Sequence, residues 1–307
     1  MPPRPHPADS RRAEYAARFN RVVDHIQAHL TEAIDLETLA GVACFSPYHF
    51  HRQFHGWMGE TIHDFIFRLR VERAAAQLAY SPGKSVTEIG LDCGFSSPST
   101  FARAFRTFHG ITPSEWRQRR TLFAAGGGRP APAGGEARPF QGRVFTLALP
   151  VEVQRLAPMR VAYIRHVGPF QENAALFERL LGRIRAWAGP RGLLVPTARL
   201  LSVSHDAPEI TEARKLRLDA AITVPAGTRA EGEIGCRDLE GGAYAVARAR
   251  IRPNQFIATW DTLMGGWLPG SGWQPDDRPR FEIYLNDPLT DPEGLIEVDV
   301  CLAVKPM

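Results

Sequence analysis

One stretch of this chain occurs twice. Residues Ser46 to Gly59 read SPYHFHRQFHGWMG, and Ser97 to Gly110 read SPSTFARAFRTFHG. In both copies a serine precedes a proline, and aromatics recur at i, i+4 and i+7: Phe50, Phe54, Trp57 and then Phe101, Phe105, Phe108. Serine is a good helix N-cap, and proline at the first helical position gives up no hydrogen bond. The aromatic spacing predicts one buried helix face. Upstream the match continues, with Leu36 over Val86, Leu39 over Ile89 and Phe45 over Phe95. A helix-turn-helix unit is therefore duplicated, with one extra residue in the second turn.

The other faces of the two helices are rich in hydrogen-bond donors. Tyr48, His49, His51, Arg52 and His55 occupy the first; Ser99, Thr100, Arg103 and Arg106 occupy the second. An α-helix fits the major groove of DNA, where arginine grips guanine with two hydrogen bonds. Two such helices on one chain can address major-groove faces one helical turn apart, roughly 34 Å. Arg52 and Arg103 are the expected base readers, with Arg106 and His55 nearer the phosphates. Taken singly, each arginine reads equally well as a solvated surface charge, so the weight lies on the duplication. The net charge of +4 permits a nucleic-acid partner without requiring one.

Around these copies, apolar periodicity predicts helices from Ala13 to Leu30 and from Glu60 to Ala79, with a short last helix after Thr112. Arg68, Arg70 and Arg73 are expected as surface charges or phosphate contacts, and Arg117, Arg119 and Arg120 form a terminal basic cluster. Residues 1–12, rich in Pro and Arg, are expected to be disordered. Ala124 to Gly142 is Gly/Pro/Ala-rich without apolar period and reads as a linker.

Beyond it the pattern changes. VEVQRL, RVAYIRH, ARLLSVSH, LRLDAAITV, AYAVARARI, RFEIYLN and LIEVDVCLAV read as strands, interrupted by helical stretches at Gln171–Trp187 and about residues 253–268. A shift of 83 overlays Leu156 on Leu239, Arg165 on Arg248 and Phe177 on Trp260. Two strand-strand-helix-strand-strand units side by side predict an α+β domain with a pseudo-two-fold axis and a groove between its halves. In Phe281-Glu282-Ile283-Tyr284-Leu285, alternation puts Phe281, Ile283 and Leu285 on a core face and Glu282 with Tyr284 on the other. A carboxylate beside aromatics suits an apolar cation, through Coulomb attraction and cation–π contact. Tyr163, Phe170, Trp260 and Trp267 are the expected walls. Trp260 and Trp267, seven apart, serve equally as a core stripe, and a solvated sheet surface would make Glu282 ordinary.

Residues 18–119 closely resemble the AraC family of transcription regulators, through RFNRVVDHIQAHL, LETLAGVACFSPYHFHRQFHGWMGETIHDFIFRLRVERAA and SVTEIGLDCGFSSPSTFARAFRTFHGITPSEWR. The resemblance implies a two-motif domain that binds double-stranded promoter DNA and recruits or repositions RNA polymerase. Cys44 departs from it, since the family usually has glycine in that turn. Residues 151–305 resemble the GyrI-like (duplicated SHS2) effector-binding domain, through RVAYIRHVGPF, LRLDAAITV, GGAYAVARARI and FEIYLNDP. That implies a pocket between the repeats for a small-molecule effector, often bulky, apolar and cationic.

The fold expected is therefore multidomain: an all-α double helix-turn-helix domain (13–121, motifs 36–59 and 86–110), a linker (122–143) and the α+β domain (144–305). No cofactor, metal or catalytic residue is expected. Gly83-Lys84-Ser85 lacks the glycine and the strand a phosphate loop needs. His51 and His55 lack a third ligand nearby. Two rivals stand beside the ligand-responsive regulator: a hydrolase using Glu282 as base, and a ligand-free interaction module. Four separated cysteines and no run of 18 apolar residues read as cytoplasmic.

Overall fold

The computed structural model describes residues 7–124, 148–171, 173–208, 210–287 and 291–307. Chain contacts divide the molecule into two compact units, one all-helical and one built on a sheet. The expected linker lies almost wholly outside the described residues.

The helical unit runs α1 (Pro7–Ala28), α2 (Leu36–Ala43), α3 (Pro47–Met58), α4 (Ile62–Tyr80), α5 (Val86–Asp92), α6 (Pro98–His109) and α7 (Pro113–Ala124). The helix α1 begins earlier than the apolar pattern suggested, so the expectation of disorder fails from Pro7 onward. Proline is compatible with a first turn, and the residues after it are good helix formers. Side-chain caps explain most of the other starts, although Ser46, expected to cap α3, accepts no cap hydrogen bond. Asp35 accepts the Thr38 amide at 2.7 Å, Thr61 accepts that of Asp64, and Ser85 with Glu88 forms a reciprocal capping box.

The aromatic stripes bury as their spacing requires. Phe50 and Phe54 join Phe19, Val22, Ile26, Leu39 and Phe65 in one core. In the second copy Phe101 and Phe105 are buried, with Phe105 edge-on to Trp116 at 5.7 Å. Trp57 corrects the pattern, being 39% exposed; it stacks on Phe19 at 5.5 Å but sits in the last turn of α3.

Two arginines of α4 also depart from expectation. Arg68 is buried between Glu60 and Glu72, with Nη2 2.6 Å from Glu60 and Nη1 3.1 Å from Glu72. Arg70 donates to the carbonyls of Leu30 and Glu32. Arg68 is therefore no surface charge, and Arg70 is tied to the chain just past the end of α1. Because Glu60 directly follows Gly59, the C-cap of α3, the Arg68 pairing fixes the angle between α3 and α4.

The sheet unit runs β1 (Val151–Leu156), β2 (Met159–Val167), α8 (Ala174–Ala188), β3 (Leu200–Ser204), β4 (Arg217–Thr223), β5 (Gly235–Leu239), β6 (Gly242–Ile251), α9 (Phe256–Asp261), β7 (Trp273–Pro275), β8 (Arg280–Tyr284) and β9 (Ile296–Pro306). The strand order is β1-β6-β9-β8-β3-β4-β2-β5, with β7 added on β9. Read from either edge, this order gives the two repeats in the same sequence, so a pseudo-two-fold axis passes between β3 and β8. There Ser202 faces Glu282 in the register, and it is also its counterpart in the repeat. Asp219 and Asp299 stand at the same offset, each opposite an arginine of the preceding hairpin: Arg165 and Arg248.

The second helical stretch is not one helix, as the sequence suggested. After α9 it passes through a π-helical turn (Thr262–Trp267) and a 3-10 turn (Leu268–Gly270). Alternation along the strands separates two cores. Val161, Tyr163, Leu201, Val203, Phe281 and Cys301 lie on one face of the sheet. Val298, Val300 and Leu302 lie on the other, with Leu263, Phe256, Trp260, Trp267 and Tyr284.

Candidate DNA-reading helices and effector site

On α3, His49, His51, Arg52 and His55 are exposed, opposite the buried Phe50 and Phe54. His51, Arg52 and His55 line an open depression together with Gly56 and Thr61. The side chain of Tyr48 lies outside the described residues. On α6, Ser99, Arg103 and Arg106 are exposed and Thr100 is half-buried. Ser99 and Thr100 are also occupied locally: the Ser97 hydroxyl accepts the Thr100 amide at 3.2 Å and lies 3.0 Å from that of Ser99. These two hydroxyls therefore shape the start of the helix. Neither α3 nor α6 carries an Asp or Glu. Each presents an arginine-centred face without carboxylates, which suits a polyanion.

In the sheet unit Glu282 is buried, at 8% exposed. Its carboxylate collects three donors. The Trp260 indole Nε1 donates to Oε1 at 2.8 Å, the Ser202 hydroxyl donates to Oε2 at 2.7 Å, and the Tyr284 hydroxyl reaches Oε2 at 3.2 Å. Burial pushes the Glu282 carboxyl above the ordinary range, and these hydrogen bonds pull against it. The Tyr284 phenol is pushed well up, by burial first and by the neighbouring carboxylate second.

Of the expected walls, the structure brings Trp260 and Tyr284 to Glu282. Trp267 packs in the adjoining core with Leu263 and Leu268. Phe170 is buried edge-on to Phe177 of α8, in the first repeat. Tyr163 is a correction. It stands in register with Ala221 and, through β4, with Leu201 and Ile283, so it lies on the opposite face from Glu282. There its ring lies under the Arg165 guanidinium. Leu285, expected in the core, is exposed just past the end of β8.

Sequence reasoning missed Ser202 and Arg280. Ser202 reaches Glu282 only through the β3–β8 register. The Arg280 guanidinium lies 5.3 Å from the centre of the Trp260 ring. Ser202 is visible as a strand-face neighbour once that register is known, and Arg280 by alternation within β8.

Among the described residues no helix is long and apolar enough to cross a membrane. A model of the GyrI-like small molecule binding domain matches residues 149–305, and one of a helix-turn-helix domain matches residues 39–119. A DNA gyrase inhibitor of Edwardsiella piscicida is 34% identical over 156 residues, which are 49% of this chain and 96% of that protein. Among solved structures, an AraC-type transcriptional regulator from Chromobacterium violaceum is 30% identical over 34% of this chain and 91% of its own, with a TM-score of 0.32. The DNA-binding domain of AdpA, solved with a target DNA, is 31% identical over 34% of this chain and 95% of its own, with a TM-score of 0.33. The chain belongs to the family of the GyrI-like small molecule binding domain, which it carries behind an AraC-type helix-turn-helix domain.

Proposed function

We propose that this chain is a ligand-responsive transcription regulator. It reads DNA with α3 and α6, using Arg52 and Arg103 at base edges and His49, His51, His55, Ser99, Thr100 and Arg106 around them. The observation that carries this reading is the pair of exposed, carboxylate-free arginine faces, each backed by its own aromatic core. Replacing Arg52 or Arg103 with alanine should cost about 1–3 kcal/mol at the cognate site and relax base preference there. Selection of preferred sites from random duplexes, repeated with each variant, measures this. An unchanged preference removes that arginine from the base-reading set.

The sheet unit takes a lipophilic cation at Glu282, with Trp260 and Tyr284 beside it, and binding alters how the bound regulator meets RNA polymerase. A buried carboxylate held by an indole and a phenol supports this: it offers charge in a low dielectric next to aromatic faces. The effector returns from the site intact. Glu282→Gln should weaken a quaternary ammonium aryl cation far more than its neutral carbon isostere, by calorimetric titration; equal loss counts against the charge role.

A second reading follows from the curated relatives, which are called DNA gyrase inhibitors. In that reading the sheet unit is an interaction module that acts on gyrase. Inhibition of gyrase supercoiling by the full chain, without added effector, would favour it over the sensor.

A further inference from the structure

Arg280, Glu282 and Tyr284 alternate along β8 and share one face. Trp260 meets two of them. Its indole N–H donates to Glu282 at 2.8 Å, and its ring face carries the Arg280 guanidinium at 5.3 Å. Arg280 is otherwise lightly held, by one hydrogen bond from Nη2 to the Asp206 carbonyl at 2.9 Å. Among the described residues no carboxylate lies within ion-pair distance of it. A planar, weakly hydrated cation thus rests on the aromatic surface beside a buried carboxylate.

We propose that Arg280 is a built-in competitor for cationic effectors: its guanidinium occupies the Trp260 face that an effector cation takes, and binding displaces it. This rests on Glu282 marking the effector site. The competition sets specificity. A compact, strongly hydrated cation gains too little on the indole to evict a guanidinium already there. A cation with a large apolar body desolvates at small cost, adds buried apolar area, and wins. Displacement also breaks the hydrogen bond to Asp206, whose carboxylate holds Arg217 at the start of β4. Occupancy therefore loosens one link between β8 and the β3–β4 turn.

The test is titration of the full chain with biphenyl-4-yltrimethylammonium and with neutral 4-tert-butylbiphenyl. Arg280→Met should tighten the cation about tenfold and leave the neutral compound within about twofold. Arg280→Lys, which keeps a cation at the indole but a more strongly hydrated one, should tighten the cation by less than Arg280→Met. No tightening in Arg280→Met, the same gain for both compounds, or equal gains in Met and Lys variants would each overturn the proposal. A measurement on the unmodified protein guards against misfolding of the variant. The Arg280 Nε–H resonance, shifted by the indole ring current, should move to its solvent position as the cation saturates; no movement at saturation overturns displacement. The Glu282→Gln variant separates the two failures. If it weakens the cation while Arg280→Met changes nothing, only the competitor falls. If Glu282→Gln has no effect on cation affinity, the effector site itself is misassigned and the competitor falls with it.

Discussion

The helical unit and the sheet unit are both duplications, and they have diverged to different degrees around their functional positions. The two helix-turn-helix copies keep their frame alike: proline-opened helices, two buried aromatics one turn apart, and one exposed arginine at the same position, Arg52 and Arg103. Their differences sit beside that arginine, with His51 against Ala102 and His55 against Arg106, and in the turn, with Cys44 against Gly94. The sheet repeats keep their frame, with mirrored strand order and matched Arg–Asp pairs, but differ at the axis. There serine faces glutamate, and a straight α8 is answered by α9 and its π-helical turn. Two helices with parallel jobs share a frame and a central arginine, and differ in the side chains around it. A single job on a symmetry axis has room for only one carboxylate, because two facing each other would repel.

The largest test of this contrast uses the matched ion pairs. Arg165 and Asp219 bond through two contacts of 2.7 Å, with side chains only 2% and 1% exposed. His205 Nε2 lies 2.6 Å from Asp219, and Arg237 approaches at 3.8 Å. Burial alone would raise the Asp219 carboxyl; Arg165 and then His205 hold it well below the ordinary range. Arg248 and Asp299 repeat the geometry at 2.8 Å, but Arg248 is 68% exposed. Arg165→Met should therefore destabilise the sheet unit by about 3–5 kcal/mol, by leaving a buried charge short of its partner. Arg248→Met should cost less than about 1 kcal/mol. Urea denaturation of both variants measures the difference. Equal losses would mean that burial, and not the shared pairing, fails to separate the repeats.

What the sequence made legible follows the same division. The helical duplication could be read because serine, proline and aromatic spacing are local signals. Glu282 could be read because alternation within β8 is local too. Tyr163 could not be placed, since whether it shares a face with Glu282 depends on pairings across β2, β4, β3 and β8. Ser202 was hidden for the same reason; Arg280 shares the Glu282 face by alternation within β8, but its place on the Trp260 ring depends on how α9 packs. Arg68 looked like a surface charge on an amphipathic helix; its burial depends on Glu60, which the turn after α3 folds back onto α4. Residue types gave the chemistry, and long-range register decided which of them meet.

The smallest effects come from the turn that the helical copies do not share. Cys44 has φ 55° and ψ 44°, the left-handed region, where a side chain costs roughly 1–2 kcal/mol. It is the one non-glycine residue with positive φ among those described. Its counterpart Gly94 has φ 84°, and a Cβ there would lie 3.0 Å from Arg70 Nε and 3.1 Å from the Leu30 carbonyl. Arg70 is pinned by that same carbonyl, so it has little room to retreat. Gly94→Ala should therefore destabilise the helical unit by about 2 kcal/mol or more, from strain plus crowding. Cys44→Gly relieves strain but gives the unfolded chain extra freedom, so the gain should be only about 0.5 kcal/mol. Thermal melting of both variants checks the pair. A loss of stability in Cys44→Gly would show that the thiol side chain supports the turn beside the Arg18 hydrogen bond to the Cys44 carbonyl, and that the first copy has its own reason to differ.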